Sequence, residues 1–261
     1  MDCAEPPGNL SLMLREAWPE IKVCSFDYCL ESSQDIAKRL HRDPGPTLVL
    51  CGEIREARGR AGRRWFAGRG GLWFTLAFKH DSPNQLGVIA LGAGVAVARA
   101  ISSSTGLEAR VKWPNDVLVN ERKVAGILIE ASPTDGGNYL LLLGVGVNVN
   151  NSLPIDLAGQ AATLKDYLGA PVNEYSLLAR VVGELHSMYS ELKSGSAFEI
   201  LRLWKSLSAT LSRPVKVTLS DGVDVQGVAV DVDENGGLVV DTGGKRLVFY
   251  FGEVIHLRHR L

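Results

Sequence analysis

The period of apolar and polar positions changes several times along the chain. "IKVCSFDY" (21–28) is a short run rich in β-branched and aromatic residues and predicts a strand. "ESSQDIAKRL" then places Ile36, Ala37 and Leu40 at helical spacing behind Ser32 or Ser33 as N-cap, which predicts a short helix. "TLVLCGEI" and "LWFTLAFK" are nearly continuous apolar runs of strand length, joined by a loop rich in arginine and glycine. From about Gln85 to Ser104 the pattern predicts a long buried helix, stopped at Gly106. Its most apolar part, Leu86–Ala98, falls short of the ~18–20 residues that a membrane span needs.

Beyond Gly106 the pattern turns to β. "ARVKW" predicts a strand broken by Pro114, and "VLVN" with "VAGILIEA" predicts a hairpin around Asn120–Lys123. "YLLLLGVGVNV" predicts a long central strand, and helices follow at about 174–193 and 196–208. Helices on a mixed sheet joined largely by hairpins predict an α+β domain rather than a doubly wound one. After Ser212 short alternating strands are separated by SDG, DENGG and TGGK turns, the pattern of a small β-barrel. The expected organisation is a loose lead-in over 1–20, a main domain over 21–211 and a barrel over 212–261.

At 261 residues, 46% hydrophobic and 22% charged, the chain has the make-up of a globular protein with a sizeable core. Its formal net charge of −1 argues against a protein that coats nucleic acid. Cys3, Cys24, Cys29 and Cys51 form no C-x-x-C pair, and their spacing suits neither zinc nor a disulfide framework. The expectation is reduced thiols in a cytoplasmic protein, since no secretory n-region and cleavage site open the chain.

Charge singles out Glu53–Gly71, "EIREARGRAGRRWFAGRGG", with six arginines, five glycines and two acids. Arginine forks fit carboxylates and phosphates, and glycine lets backbone N–H groups approach the same anion. A solvated basic loop and a short nucleic-acid tract are the competing readings. Lys112, in the otherwise apolar "ARVKW", must snorkel or meet an anion. Pro114, Asn115 and Asp116 are ordinary turn residues, and Gly126 inside "VAGILIE" marks a close approach or a bulge. "GVG" lacks the third glycine of a dinucleotide fingerprint, and neither a P-loop nor a G-x-S-x-G elbow occurs. The scattered histidines His41, His80, His186, His256 and His259 flank no obvious nucleophile.

Taken together, "ARGRAGRRW" (57–65), "VKWPNDVLV…RKVAGILIE" (111–130), "GVGVNVN" (144–150), "ATL" (162–164) and the terminal strands from "RPVKV" resemble the biotin protein ligases. The resemblance spans about residues 22–261. It implies a class II synthetase-like catalytic domain with an SH3-like C-terminal barrel. The implied reaction joins biotin and MgATP to give biotinyl-5′-AMP, then passes the acyl group to a lysine of a biotin carboxyl carrier domain. It carries no nucleic-acid or membrane partner and leaves a homodimer open. Only about 20 residues precede the matched part, so a DNA-binding winged helix is not expected.

Residue by residue, the resemblance places Arg58, Gly59 and Arg60 in the loop over biotin and the adenylate. It places Lys112 against the biotin carboxylate and α-phosphate, with Arg58 and Arg60 as its catalytic companions. Ser32, Ser33 and Gln34 fall at the biotin ring. Arg63, Trp65, Asn115, Asp116, Lys123, Gly126 and Asn148 fall at the nucleotide, Trp65 to stack on adenine and Asp116 to help hold Mg²⁺. Two departures stand out: Ile54 occupies the position of a ureido-contacting glutamine, and Ala57 replaces a glycine. A polar-to-apolar exchange at a buried contact costs on the order of 1–3 kcal/mol of binding. A ligase for another carboxylate, such as lipoate, is the nearest alternative; a non-catalytic nucleic-acid module is a more distant one.

Overall fold

The computed structural model describes residues 3–6, 8–42, 45–219 and 221–257. Its main sheet comprises β1 (Lys22–Phe26), β2 (Thr47–Cys51), β3 (Leu72–His80), β4 (Ala109–Lys112), β5 (Asp116–Val119), β6 (Arg122–Pro133) and β7 (Tyr139–Val147). These lie in the order β1-β2-β3-β7-β6-β5-β4; β1 and β2 are parallel and every other pair is antiparallel. The expected hairpin is β5–β6, turning through Asn120 (φ 46°) and Glu121 (φ 64°), the left-handed pair that a tight two-residue turn requires.

Side-chain alternation divides the sheet into two faces. On β3, Leu72, Phe74, Leu76 and Phe78 join the large core, while Trp73 and Ala77 join a smaller cluster on the opposite side. The large core is covered by α1 (Leu10–Ala17), α3 (Leu86–Thr105), α5 (Glu174–Lys193) and α6 (Ala197–Leu207). Helix α3 is long and apolar enough to cross a membrane, yet 67% of its most apolar window is buried inside the fold. It is a core helix, and Gly106 (φ 75°) caps it in the left-handed conformation. On the other face lies α2 (Ser33–Leu40), with Ser32 as N-cap accepting from the Gln34 N–H at 3.3 Å.

The structure corrects two expectations. Residues 10–17, read as part of a loose lead-in, form α1, with Leu10 and Leu14 fully buried and Trp18 stacked on His186. Leu10, Leu12, Met13 and Leu14 crowd into so short a segment that no helical stripe stands out; contact of Leu10 and Leu14 with the core and of the helix with α5 supplies what local sequence did not. The cysteines are paired, Cys3 with Cys24 and Cys29 with Cys51. Spacing along the chain did not show this, because isolated bridges, Ala4 to Ser25 and Cys29 to Ile54, bring the cysteines of each pair, 21 and 22 residues apart in sequence, next to one another. Cys29 and Cys51 are 0% and 1% exposed, whereas Cys3 lies at the surface. Mild reduction followed by alkylation is therefore expected to label Cys3 and Cys24 first. Peptide mass mapping should find Cys29 and Cys51 protected until the chain unfolds.

The C-terminal strands β8 (Pro214–Thr218), β9 (Asp224–Val232), β10 (Leu238–Asp241), β11 (Arg246–Phe249) and β12 (Glu253–His256) form a second, antiparallel sheet. Its inner residues include Val215, Val217, Ala229, Leu238 and Val240, all 0% exposed. The indole N–H of Trp113 donates to Gly236 O at 3.1 Å, and Arg213 grips Glu121 at 2.7 and 2.9 Å. Both contacts join this sheet to the turn segments around β4 and β5.

Candidate active site

A cavity of about 270 Å³ opens on the sheet face that carries α2. Its cause is a loss of side chains on two adjacent strands. On β7 one face reads Leu140, Leu142, Gly144, Gly146, and on β6 the corresponding positions are Gly126, Leu128 and Glu130. Register sets Gly126 opposite Gly146 and Leu128 opposite Gly144. Trp65 lies in the hollow: a Cβ at Gly146 would come within 2.9 Å of its ring, and one at Gly126 within 3.0 Å. Gly144 leaves room for Gln34 in the same way, at 3.3 Å. The Gly-x-Gly that fails as a dinucleotide fingerprint is thus a period-two device for clearing one face of a strand.

The arginine loop closes the cavity from above as a short ribbon. Ile54 N donates to Ala67 O, Trp65 N to Ala57 O, and Gly59 N to Arg63 O at 2.7 Å. Ala61 (φ 54°) and Gly62 (φ 71°) turn the tip. Three of its six arginines have acidic partners. Arg58 makes a bidentate pair with Asp35 at 2.8 and 3.0 Å and reaches Glu130 at 3.4 Å. Arg63 bonds Glu253 of β12 at 2.7 Å, and Arg69 lies near Asp27 and Glu53. Arg60 is directed to Asn115 Oδ1 at 3.4 Å. Burial disfavours its charge and Asp116 favours it. Paired arginines of this kind do not make an open nucleic-acid surface.

Ser32, Ser33, Gln34, Arg58, Gly59 and Arg60 all line the cavity. So do Arg63, Trp65, Asn115, Lys123, Gly126 and Asn148. Lys112 and Asp116 do not. Lys112 is half-buried on the same sheet face, in register through Asp116 with the cavity glycines Gly126 and Gly146; burial lowers its pKa and Asp116 raises it, while Lys123 lowers it further. Lys123 lines the cavity, its ammonium 2.5 Å from Asp116 Oδ1 and 5.0 Å from the Trp65 ring centroid.

Lys123 reaches this position through a bulge. Counting by twos from Gly126 would aim Val124 and Arg122 at the cavity. Pairing slips between Val117 and Leu118, so Leu118 faces Lys123 where regular register would give Val124. The extra residue re-aims the lysine, a common use of bulges beside active sites. Its backbone is clamped as well: Lys123 N donates to Gln160 O at 2.8 Å and Ala162 N to Lys123 O at 3.0 Å. A bulge has no sequence signature in "ERKVAG", so alternation alone does not show which face Lys123 takes.

Comparison with known proteins places this geometry. A family model described as "Biotin/lipoate A/B protein ligase family" matches residues 28–150, and "Biotin protein ligase C terminal domain" matches 210–257. The biotin–[acetyl-CoA-carboxylase] ligase of Mycobacterium tuberculosis is 33% identical over 218 residues, covering 81% of this chain and 79% of that protein. The chain belongs to the biotin protein ligase family. The bifunctional ligase/repressor BirA of Bacillus subtilis is 29% identical over 220 residues, covering 82% and 67%. A biotin protein ligase from Aquifex aeolicus, solved with biotin and ATP, aligns with a TM-score of 0.79 at 26% identity, covering 91% of this chain and 99% of that one.

Ile54, 7% exposed, forms part of the cavity wall with Ala57, Phe66, Ala67 and Trp73. Alternation on β3 and β7 could have pointed to Trp73, Gly144 and Gly146, which the sequence reading did not assign to the site. Gln160, Leu153 and Leu157 reach it from a loop with no such signal. The Asp116 carboxylate, the magnesium ligand that the resemblance implies, is engaged by Lys123 in this structure. Among the described residues no group of three His, Cys, Asp or Glu converges. None of the described histidines lines the cavity, and His259 lies outside the described residues.

Proposed function

We propose that this biotin protein ligase is ATP-dependent, forming biotinyl-5′-AMP and transferring biotin to a lysine of a carboxylase carrier domain. The observation that supports it best is the pairing, in one cavity, of an apolar end beside Ser32 and Ser33 with a cationic end formed by Arg60 and Lys123. In the first half-reaction a carboxylate oxygen of biotin forms a bond to the α-phosphorus of ATP, and pyrophosphate leaves with the electron pair. Two anions must be held together for this, and fixed cations in a water-poor cavity do so without a protein nucleophile. Lys112, Lys123 and Arg60 take that role here, and Lys123 exchanges Asp116 for the incoming anion. Trp65 offers the surface on which adenine stacks, and Asn115 and Asn148 line the nucleotide end. In the second half-reaction the carrier lysine amine attacks the acyl carbon and AMP leaves.

Any magnesium enters with the ATP phosphates, where it neutralises charge. The disulfides remove the cysteine argument for a reducing compartment. A cytoplasmic site of action rests instead on the need for ATP. Pyrophosphate release measured in parallel with biotin, lipoate and octanoate tests the reading. Release with biotin and transfer to a carrier domain is the expected result; activity confined to a non-biotin acid would overturn it.

A further inference from the structure

The pairing of β1 with β2 continues past the strand ends. Gly52 N donates to Phe26 O at 2.8 Å, Cys29 N to Glu53 O at 2.8 Å, Arg55 N to Cys29 O at 2.9 Å and Glu56 N to Leu30 O at 3.1 Å. Residues 26–30, the approach to α2, thus run beside residues 52–56, the first leg of the arginine loop. The Cys29–Cys51 disulfide joins the two at the root, buried in the small cluster that also holds Ile54 and Ala57. At the far end of the same leg Arg58 makes its bidentate pair with Asp35 of α2. The first leg is therefore tied to the α2 segment at two points, covalently at Cys51 and by charge at Arg58. Beyond Gly59 the ties are looser. Residues 61–64 are exposed, and a Cβ built at Gly62 would meet nothing within 4 Å. Arg63 reaches Glu253 through side chains that are 58% and 55% exposed, a kind of pair that holds weakly.

We propose that the Cys29–Cys51 bond divides the arginine loop into a fixed wall and a moving tip. Residues 52–58 are set before a ligand arrives, and binding orders only the residues beyond Gly59. Neither cysteine lines the cavity; they are positioning residues that act through Ile54, Ala57 and Arg58, which do. Four backbone hydrogen bonds beyond a strand end open readily by themselves, and a covalent bond at their root prevents it. A leg already fixed gives up no conformational freedom on binding, so that cost drops out of the affinity. The ligand rests on the biotin reading above; the wall does not.

Hydrogen exchange on the free wild-type protein tests the wall. The amides of Cys29, Gly52, Arg55 and Glu56 should exchange on the order of 100-fold more slowly than those of Ala61 and Gly62. Biotin with ATP should slow exchange only beyond Gly59. Cys29→Ala with Cys51→Ala should erase the contrast and raise KM for biotin on the order of 10-fold, with kcat unchanged. Either single variant should lose as much as the pair, because the bond is one unit. Cys3→Ser with Cys24→Ser removes the other disulfide and should leave KM as it was. An equal rise there would reveal a general effect of stability and overturn the proposal. It is also overturned if the double alanine variant keeps the wild-type KM. So too if residues 52–56 of the wild-type protein exchange as fast as the tip, or gain protection with ligand, an arm that needs no variant to fold. A wild-type protein that binds no biotin would instead sink the ligase reading, with exchange on the free protein still deciding for or against the wall.

Discussion

Replacing Lys123 with alanine should lower adenylate formation by about 10²–10³-fold, the usual loss when one preorganised charge-stabilising donor is removed from an acyl- or phosphoryl-transfer site. The effect should appear in single-turnover pyrophosphate release, with thermal stability little changed, because the Lys123 side chain sits at a cavity rim rather than in the core. Lys112→Ala should lower adenylate formation as well, because Lys112 pairs with Asp116 on the sheet face that carries the cavity glycines and the resemblance places it at the biotin carboxylate and α-phosphate. Wild-type pyrophosphate release in both variants would show that neither lysine stabilises the developing charge.

Trp113→Ala should produce the largest loss of stability. Trp113 is 2% exposed, packs within the main core, and joins both parts of the molecule. Its backbone N–H donates to Thr210 Oγ1 at 3.0 Å and its indole N–H to Gly236 O at 3.1 Å. Removing a buried indole leaves a cavity and costs about 3–5 kcal/mol, and an unpaired buried carbonyl at Gly236 adds to it. Urea denaturation should show a lower midpoint. Protease cleavage between 208 and 214 should become faster if the C-terminal sheet works loose. A midpoint within about 1 kcal/mol of wild type would mean that the two parts do not depend on this residue for their union.

Much of the fold was legible along the chain. Periods of two and 3.6 marked β1 to β7, α2, α3, α5 and α6, because each of these elements buries one face or is apolar throughout. Helix α1 was missed, since Leu10, Leu12, Met13 and Leu14 crowd into a short segment and show no helical stripe without the α5 surface to receive them. The site was half legible. Arg60, Trp65, Asn115 and Ser33 were placed because their motifs are local. Lys123 was named for the nucleotide end, but its aim was not legible, because a register slip of one residue decides which face a strand side chain takes.

By itself the sequence determined the α+β class, the C-terminal β segment, the arginine loop and the kinship to biotin protein ligases. These depend on patterns between neighbours in the chain. Only the tertiary structure decided the cysteine pairing, the hollow made by Gly126, Gly144 and Gly146, and the aim of Lys123. Each of these depends on which residues of distant strands lie opposite one another, and strand register is set by long-range packing rather than by the residues on either side.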